Sequence, residues 1–238
     1  MAEVLGVMAS GRGSNFEAIL DHIQLGVLKN VKVGILITNK PDAGALETAR
    51  KAGIPTHVIV PTKKGLAGRI EFEKEAIDHF KKHKVSLVIL AGFMRIISPH
   101  LIRYYKNRMI NIHPSLLPSF TGLHGPLQAL EYGAKVAGCT VHYVDEGMDT
   151  GPIIQQGAVP VKETDKEDDI AKRILLLREH RILSRAIQLH ADKRIKMKGR
   201  RVFIDYSGGW ERKWADRQKK FITYQKRIYK VFKGFWDD

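Results

Sequence analysis

Among its 238 residues the chain has one cysteine, Cys139, so no internal disulfide is available and the reducing cytoplasm is the expected compartment. Long apolar runs are absent too. The longest, residues 87–91 continuing past Gly92 to Met94, is far too short to span a bilayer. No basic leader is visible: Glu3 stands in the first stretch, and the polar residues 10–15 interrupt any apolar segment, so no secretory signal is expected. The ten histidines include no HExxH and no clustered Cys/His pattern, so the sequence indicates no metal site. Repeats and low-complexity linkers are likewise missing.

Acidic residues are in deficit, 25 against 40 Lys and Arg, a net charge of +15. The excess is uneven. Residues 193–238 carry 15 basic and 5 acidic side chains, a net of +10, leaving +5 for residues 1–192. A mildly positive body suits small anionic substrates, whose approach a positive cleft accelerates. A chain of this length can bury about 70% of its unfolded surface, enough for one large core without staples.

Short β-rich apolar runs alternate with longer amphipathic stretches. The strands expected are residues 4–8, 31–37, 57–60, 85–90, 109–112, 140–144 and 158–161; the helices are about 15–25, 43–52, 70–83, 99–105, 126–132 and 168–190. This is the rhythm of βαβ units: an α/β, Rossmann-like fold with a mostly parallel sheet flanked by helices, the later strands adding antiparallel edges.

The most informative string is MINIHPSLLP, followed by DEGMDTGP, in which Asp149 lies 36 residues after His113. At the end of a buried strand, Asn111 and His113 project to the same face, and Pro114 should stop the strand there. An amide and an imidazolium can stabilise a developing oxyanion, and a carboxylate such as Asp149 keeps an imidazole charged. A satisfied core histidine beside a turn aspartate is the bland alternative. The Asp149-Thr150-Gly151 triplet also matches the aspartic-protease signature, but an α/β chain offers neither the all-β setting nor the second such carboxylate.

Two loops accompany this set. In ASGRGSNFEAIL, Gly11 and Gly13 permit a tight turn and residues 14–17 read as a capping box, which makes the helix start an anion site or simply a well-capped turn. The string is neither a P-loop nor a dinucleotide fingerprint. In LAGFMRIISP, Arg95 follows a buried strand, where it could meet a ligand or form a structural ion pair.

Taken together, VMASGRGSNFEAI, LAGFMRIISP, NIHPSLLPSFTGLHGPLQALEYG and GCTVHYVDEGMDTGPII resemble the phosphoribosylglycinamide formyltransferases, folate-dependent enzymes of purine synthesis, over residues 1 to about 205. NIHPSLLP by itself would indicate only the wider formyltransferase group; the SGRGSN loop and the GLHG string separate this chain from methionyl-tRNA formyltransferase and formyltetrahydrofolate deformylase. The resemblance implies a catalytic set of Asn111, His113 and Asp149, and an acceptor-phosphate loop at Gly13, Ser14 and Asn15. It implies Glu179 at the acceptor amide. It also implies a folate side formed by Arg69, Met94, Arg95, Ile96 and Ile97, with Asn111 and the Val144 loop. The chain departs from the family at Arg181, where a Pro often follows the Glu-His pair. The implied substrates are phosphoribosylglycinamide and 10-formyltetrahydrofolate, without a metal. The alternatives are a deformylase, in which water replaces the amine, and a nucleic-acid-binding protein on an inactive scaffold.

The resemblance ends near residue 205, which divides the chain into a transferase domain, 1–205, and an extension, 206–238. The extension holds all three tryptophans. Trp210, Trp214, Phe221, Tyr224, Ile228, Phe232 and Phe235 recur at helical spacing, with Arg212, Lys219, Lys220, Lys226, Arg227 and Lys233 on other faces. A basic amphipathic helix docks on its own body or on a second subunit as a homodimer. Nucleic acid and a membrane surface are the other partners its chemistry admits.

Overall fold

The computed structural model describes residues 2–228. Seven strands form one sheet: β1 (Glu3–Met8), β2 (Val31–Thr38), β3 (Thr56–Val58), β4 (Leu87–Leu90), β5 (Met109–His113), β6 (Val136–Tyr143) and β7 (Ile153–Pro160). Their order is β3-β2-β1-β4-β5-β6-β7; the first five strands are parallel, β6 runs antiparallel to β5, and β7 antiparallel to β6. Between the strands lie α1 (Ser14–Gln24), α2 (Gly44–Lys51), α3 (Gly65–Lys82), α4 (Pro99–Tyr104) and α5 (Gly125–Glu131). After the sheet come α6 (Glu167–Ile174), a π turn (Leu175–Glu179), α7 (His180–Ala191), the hairpin β8 (Ile195–Lys198) and β9 (Arg201–Ile204), and α8 (Trp210–Ile228).

Central-strand side chains alternate between two cores, as strand geometry dictates. Leu87, Ile89 and Ala91 join the cluster containing Phe16, Ile19, Ile170 and Ile187, whereas Val88 and Leu90 join the one formed by Phe72, Phe80, Leu101 and Tyr105. Because both faces are covered, β4 reads as an unbroken apolar run rather than an alternating one.

Several expectations need correction, among them the start of α3, which lies at Gly65 instead of residue 70. Strands β6 and β7 begin four or five residues earlier than β-propensity indicated, because Gly138, Gln155, Gln156 and Gly157 conceal them. Pairing along a hairpin overrides propensity here, and a Cβ at Gly138 would lie 2.2 Å from the Gly157 carbonyl. The expected helix over 168–190 is interrupted by the π turn. The capping box at residues 14–17 does not form: Gly13 is the N-cap, at φ +81°, with no side-chain cap, and a Cβ there would lie 2.6 Å from the Ala45 Cβ.

The extension docks on its own chain. Trp210, Trp214 and Phe221 are buried with Ala18, Val27 and Leu189, while Arg212, Lys219, Lys220, Lys226 and Arg227 stay exposed. Ile228 is exposed despite its place in the apolar pattern. Phe232, Lys233, Phe235 and Trp236 lie outside the described residues. Among the described residues no helix is long and apolar enough to cross a membrane.

Candidate active site

Parallel strands deliver their C-terminal ends to one edge, and the reversal of strand order between β1 and β4 opens a crevice there. The loops after β1 and β4 meet at that point: Ser10 N–H donates to the Gly92 carbonyl at 3.0 Å, and Met94 N–H donates to Ser10 Oγ at 3.0 Å. Asn111 and His113 stand in β5 two strands from β1, and the strand ends before Pro114.

His113 is buried, with Nε2 3.1 Å from the Phe120 carbonyl and Nδ1 3.5 Å from Asp149 Oδ2. A carbonyl only accepts, so Nε2 carries a proton, and a second proton on Nδ1 would meet the carboxylate. Asp149 has a left-handed backbone, φ +55°, and accepts a 2.9 Å bond from Gly122 N–H. Its other oxygen is 3.9 Å from His142 Nε2.

His142 went unnoticed in the sequence. It sits opposite Asn111 in the β5–β6 ladder, its Nδ1 is 2.9 Å from the Tyr143 carbonyl, and its Nε2 is 3.2 Å from Asn111 Nδ2. Nδ1 must donate to that carbonyl, so in the neutral ring Nε2 accepts from the Asn111 amide. Burial lowers the His142 pKa and favours that neutral form; hydrogen bonding to Tyr143 and the nearby Asp149 oppose it. One amide hydrogen of Asn111 is thereby fixed, and the other remains for a ligand. Only the antiparallel register brings His142 to Asn111, so a linear search of apolar strands gives no signal for it.

The residues expected on the acceptor side converge from distant parts of the chain. Gly13 and Ser14 open α1, and the buried Asn15 donates from Nδ2 to Glu179 Oε2 at 2.7 Å across 164 positions. Glu179 ends the π turn. Burial pushes its carboxyl up to about 7, partly opposed by the Asn15 bond.

On the expected folate side, Met94 and Ile96 are exposed, while Ile97 and Val144 pack against the same core cluster. Arg95 lies over the Phe72 ring, 5.4 Å from its centroid, and makes no ion pair among the described residues. Arg69 is half-buried in the first turns of α3. The structure thus groups Asn111, His113 and Asp149, joins Asn15 to Glu179, and packs Ile97 and Val144 against one core cluster.

A separate cluster has no linear metal motif behind it. His57 on β3 and Glu75 and His79 on α3 bring one ligand atom each within 4.8 Å of one another, on the edge strand four positions from β5. The His57 and His79 rings stack at 3.6 Å, and His57 Nε2 is 2.6 Å from Glu75 Oε1.

The sequence profile of the family described as Formyl transferase matches residues 5–187. Phosphoribosylglycinamide formyltransferase of Escherichia coli (strain K12) is 42% identical over 199 residues, covering 84% of this chain and 92% of the relative. The crystal structure of glycinamide ribonucleotide transformylase 1 from Symbiobacterium toebii superimposes with a TM-score of 0.81 at 44% identity, over 85% of this chain and 94% of that one. A formyltetrahydrofolate deformylase structure from Pseudomonas syringae pv. tomato str. DC3000 reaches 0.77 at 27% identity, over 86% of this chain and 66% of its own. The chain therefore belongs to the formyl transferase family, in its phosphoribosylglycinamide formyltransferase branch.

Proposed function

We infer that the chain transfers the formyl group of 10-formyltetrahydrofolate to the amine of 5'-phosphoribosylglycinamide, a step of purine biosynthesis. The observation that carries the reading is the Asn111, His113 and Asp149 cluster at the rim of β5, on a frame 42% identical to an enzyme of that name. The deformylase alternative is the weaker match, at 27%.

In the proposed mechanism the neutral glycinamide amine attacks the formyl carbon directly. The carbonyl oxygen becomes negative as the new C–N bond forms, and the remaining Asn111 amide hydrogen and the His113 ring stabilise it. Asp149, 3.5 Å from His113 Nδ1, orients the imidazole and helps pass the amine proton, directly or through water, to the departing folate nitrogen. No covalent enzyme intermediate is needed. Backbone N–H groups at Gly13, Ser14 and Asn15 receive the acceptor phosphate at the start of α1, where the helix dipole favours an anion. Glu179 receives the acceptor amide. Exposed Met94 and Ile96 give the pterin an apolar surface, with Arg95, Ile97, Asn111 and Val144 around it, and Arg69 supplies a cation for the folate carboxylates.

Residues 1–205 are read as the transferase domain and 206–238 as an extension. The single buried Cys139 supports the cytoplasm as compartment. Because α8 gives its apolar face to its own body, a homodimer would have to use another surface. Steady-state assay of 10-formyltetrahydrofolate with and without phosphoribosylglycinamide tests the function: turnover that requires the acceptor supports it, and acceptor-independent formate release identifies a deformylase.

A further inference from the structure

The residues proposed to hold the acceptor come from two walls, α1 with Asn15 and the π turn with Glu179, joined by the 2.7 Å Asn15–Glu179 bond. Helix α8, beyond the region matched by the family profile, grips both walls.

On α1, the Phe221 ring stacks on His22 with centroids 3.6 Å apart, Gln218 Nε2 is 3.1 Å from His22 Nε2, and Tyr224 OH donates to Asp21 at 3.3 Å. Just past that helix, Arg217 donates to the Val27 carbonyl at 2.9 Å. On the other wall, Gln225 Nε2 donates to the Leu176 carbonyl at 3.0 Å and lies 3.3 Å from His180 Nδ1. Leu176 is inside the π turn, and His180 follows Glu179 directly.

Gln225 is 1% exposed. A buried amide that loses its partner is destabilising, so its donor has a specific place to go. That place is a carbonyl in the widened π turn, where the regular i to i−4 ladder is interrupted. A bond fixed at Leu176, one turn before Glu179, limits how the turn can rewind. Rewinding to a regular helix would rotate Glu179 away from Asn15, because a π turn advances the chain differently around the helix axis.

We propose that α8 is a splint for the acceptor pocket and that Gln225 is a positioning residue, holding the π turn so that Glu179 faces Asn15. This rests on the reading of Glu179 as the acceptor-binding carboxylate.

The test uses the full chain and four variants: Gln225→Met, Gln225→Glu, Glu179→Gln, and the Gln225→Met/Glu179→Gln pair. Each Gln225 variant is expected to raise the acceptor KM about tenfold, the scale of one buried hydrogen bond, while kcat and the folate KM stay near wild type. Assayed at alkaline pH, where the introduced carboxyl is ionised, Gln225→Glu retains the shape without a donor and gives a second measurement should Gln225→Met fold poorly. If Gln225 acts through Glu179, the double variant has the acceptor KM of Glu179→Gln alone. Multiplying effects in the double variant, or equal loss across kcat and both KM values, would reduce Gln225 to general support and overturn the proposal. Glu179→Gln with an unchanged acceptor KM would instead remove the reading of Glu179 itself, and the splint with it. Trp214→Phe loosens the packing of α8 away from the π turn and is expected to lower the melting temperature without a selective change in acceptor KM.

Discussion

Asn111 has two amide hydrogens, and the fold engages one of them with His142 at 3.2 Å. His142→Phe keeps the ring and removes this acceptor, leaving Asn111 free to turn. The expected result is a fall in kcat of up to about 10²-fold, typical of a misplaced catalytic group, with little change in either KM. His113→Ala and Asp149→Ala should each lose at least about 10²-fold in kcat, with circular dichroism unchanged; near-normal turnover in either would remove it from the catalytic set. Glu179 gives a pH signature. Its folded pKa of about 7 lies above the ordinary 4.5, so its contribution to stability is full below about 4.5 and is lost as pH rises through about 7. The stability advantage of wild type over Glu179→Gln should therefore shrink by roughly 3 kcal/mol between pH 4.5 and 8, measured by urea unfolding. A pH-independent difference would mean that burial does not perturb this carboxyl.

At the scale of elements, the β6–β7 hairpin shows how backbone approach sets sequence. Gly138→Ala places a methyl 2.2 Å from the Gly157 carbonyl, and relief requires the two backbones to separate. A loss of about 1 to 3 kcal/mol is expected in chemical denaturation, the usual range for overpacking. An unchanged midpoint would show that the hairpin has slack there. Strands β1, β2, β4 and β5 were legible because side chains mostly buried on both faces leave largely apolar runs, whereas the edge strand β3 has no buried residue. The early parts of β6 and β7 were not, since glycines and glutamines take strand geometry there only through pairing. The π turn was equally hidden: LLLREHR has the composition of an ordinary helix, and its widened turn is defined by backbone bonding rather than residue type.

For the whole molecule, α8 closes a surface of the transferase frame that contains Ala18, Val27 and Leu189. Burying a large apolar side chain contributes about 1.5 to 3 kcal/mol, so deleting residues 208–238 should lower the melting temperature by roughly 10 °C and reduce solubility. Unchanged thermal stability, with loss of salt-sensitive RNA or liposome binding, would assign the extension to a surface partner instead. Periodicity alone established that the extension had an apolar and a basic face. The partner for the apolar face came from tertiary contacts, where Trp210, Trp214 and Phe221 meet the same chain.

The sequence by itself determined the α/β class and the candidate chemistry. Periodicity is local, Pro114 ends a strand wherever it occurs, and an amide, an imidazole and a carboxylate have fixed donor and acceptor properties. Only the tertiary structure decided that His142 faces Asn111, that Asn15 meets Glu179, and that Gln225 reaches the π turn. These pairs lie 31, 164 and, for Gln225 with Leu176, 49 positions apart, distances over which no local periodicity operates and only strand register and helix packing choose the partner.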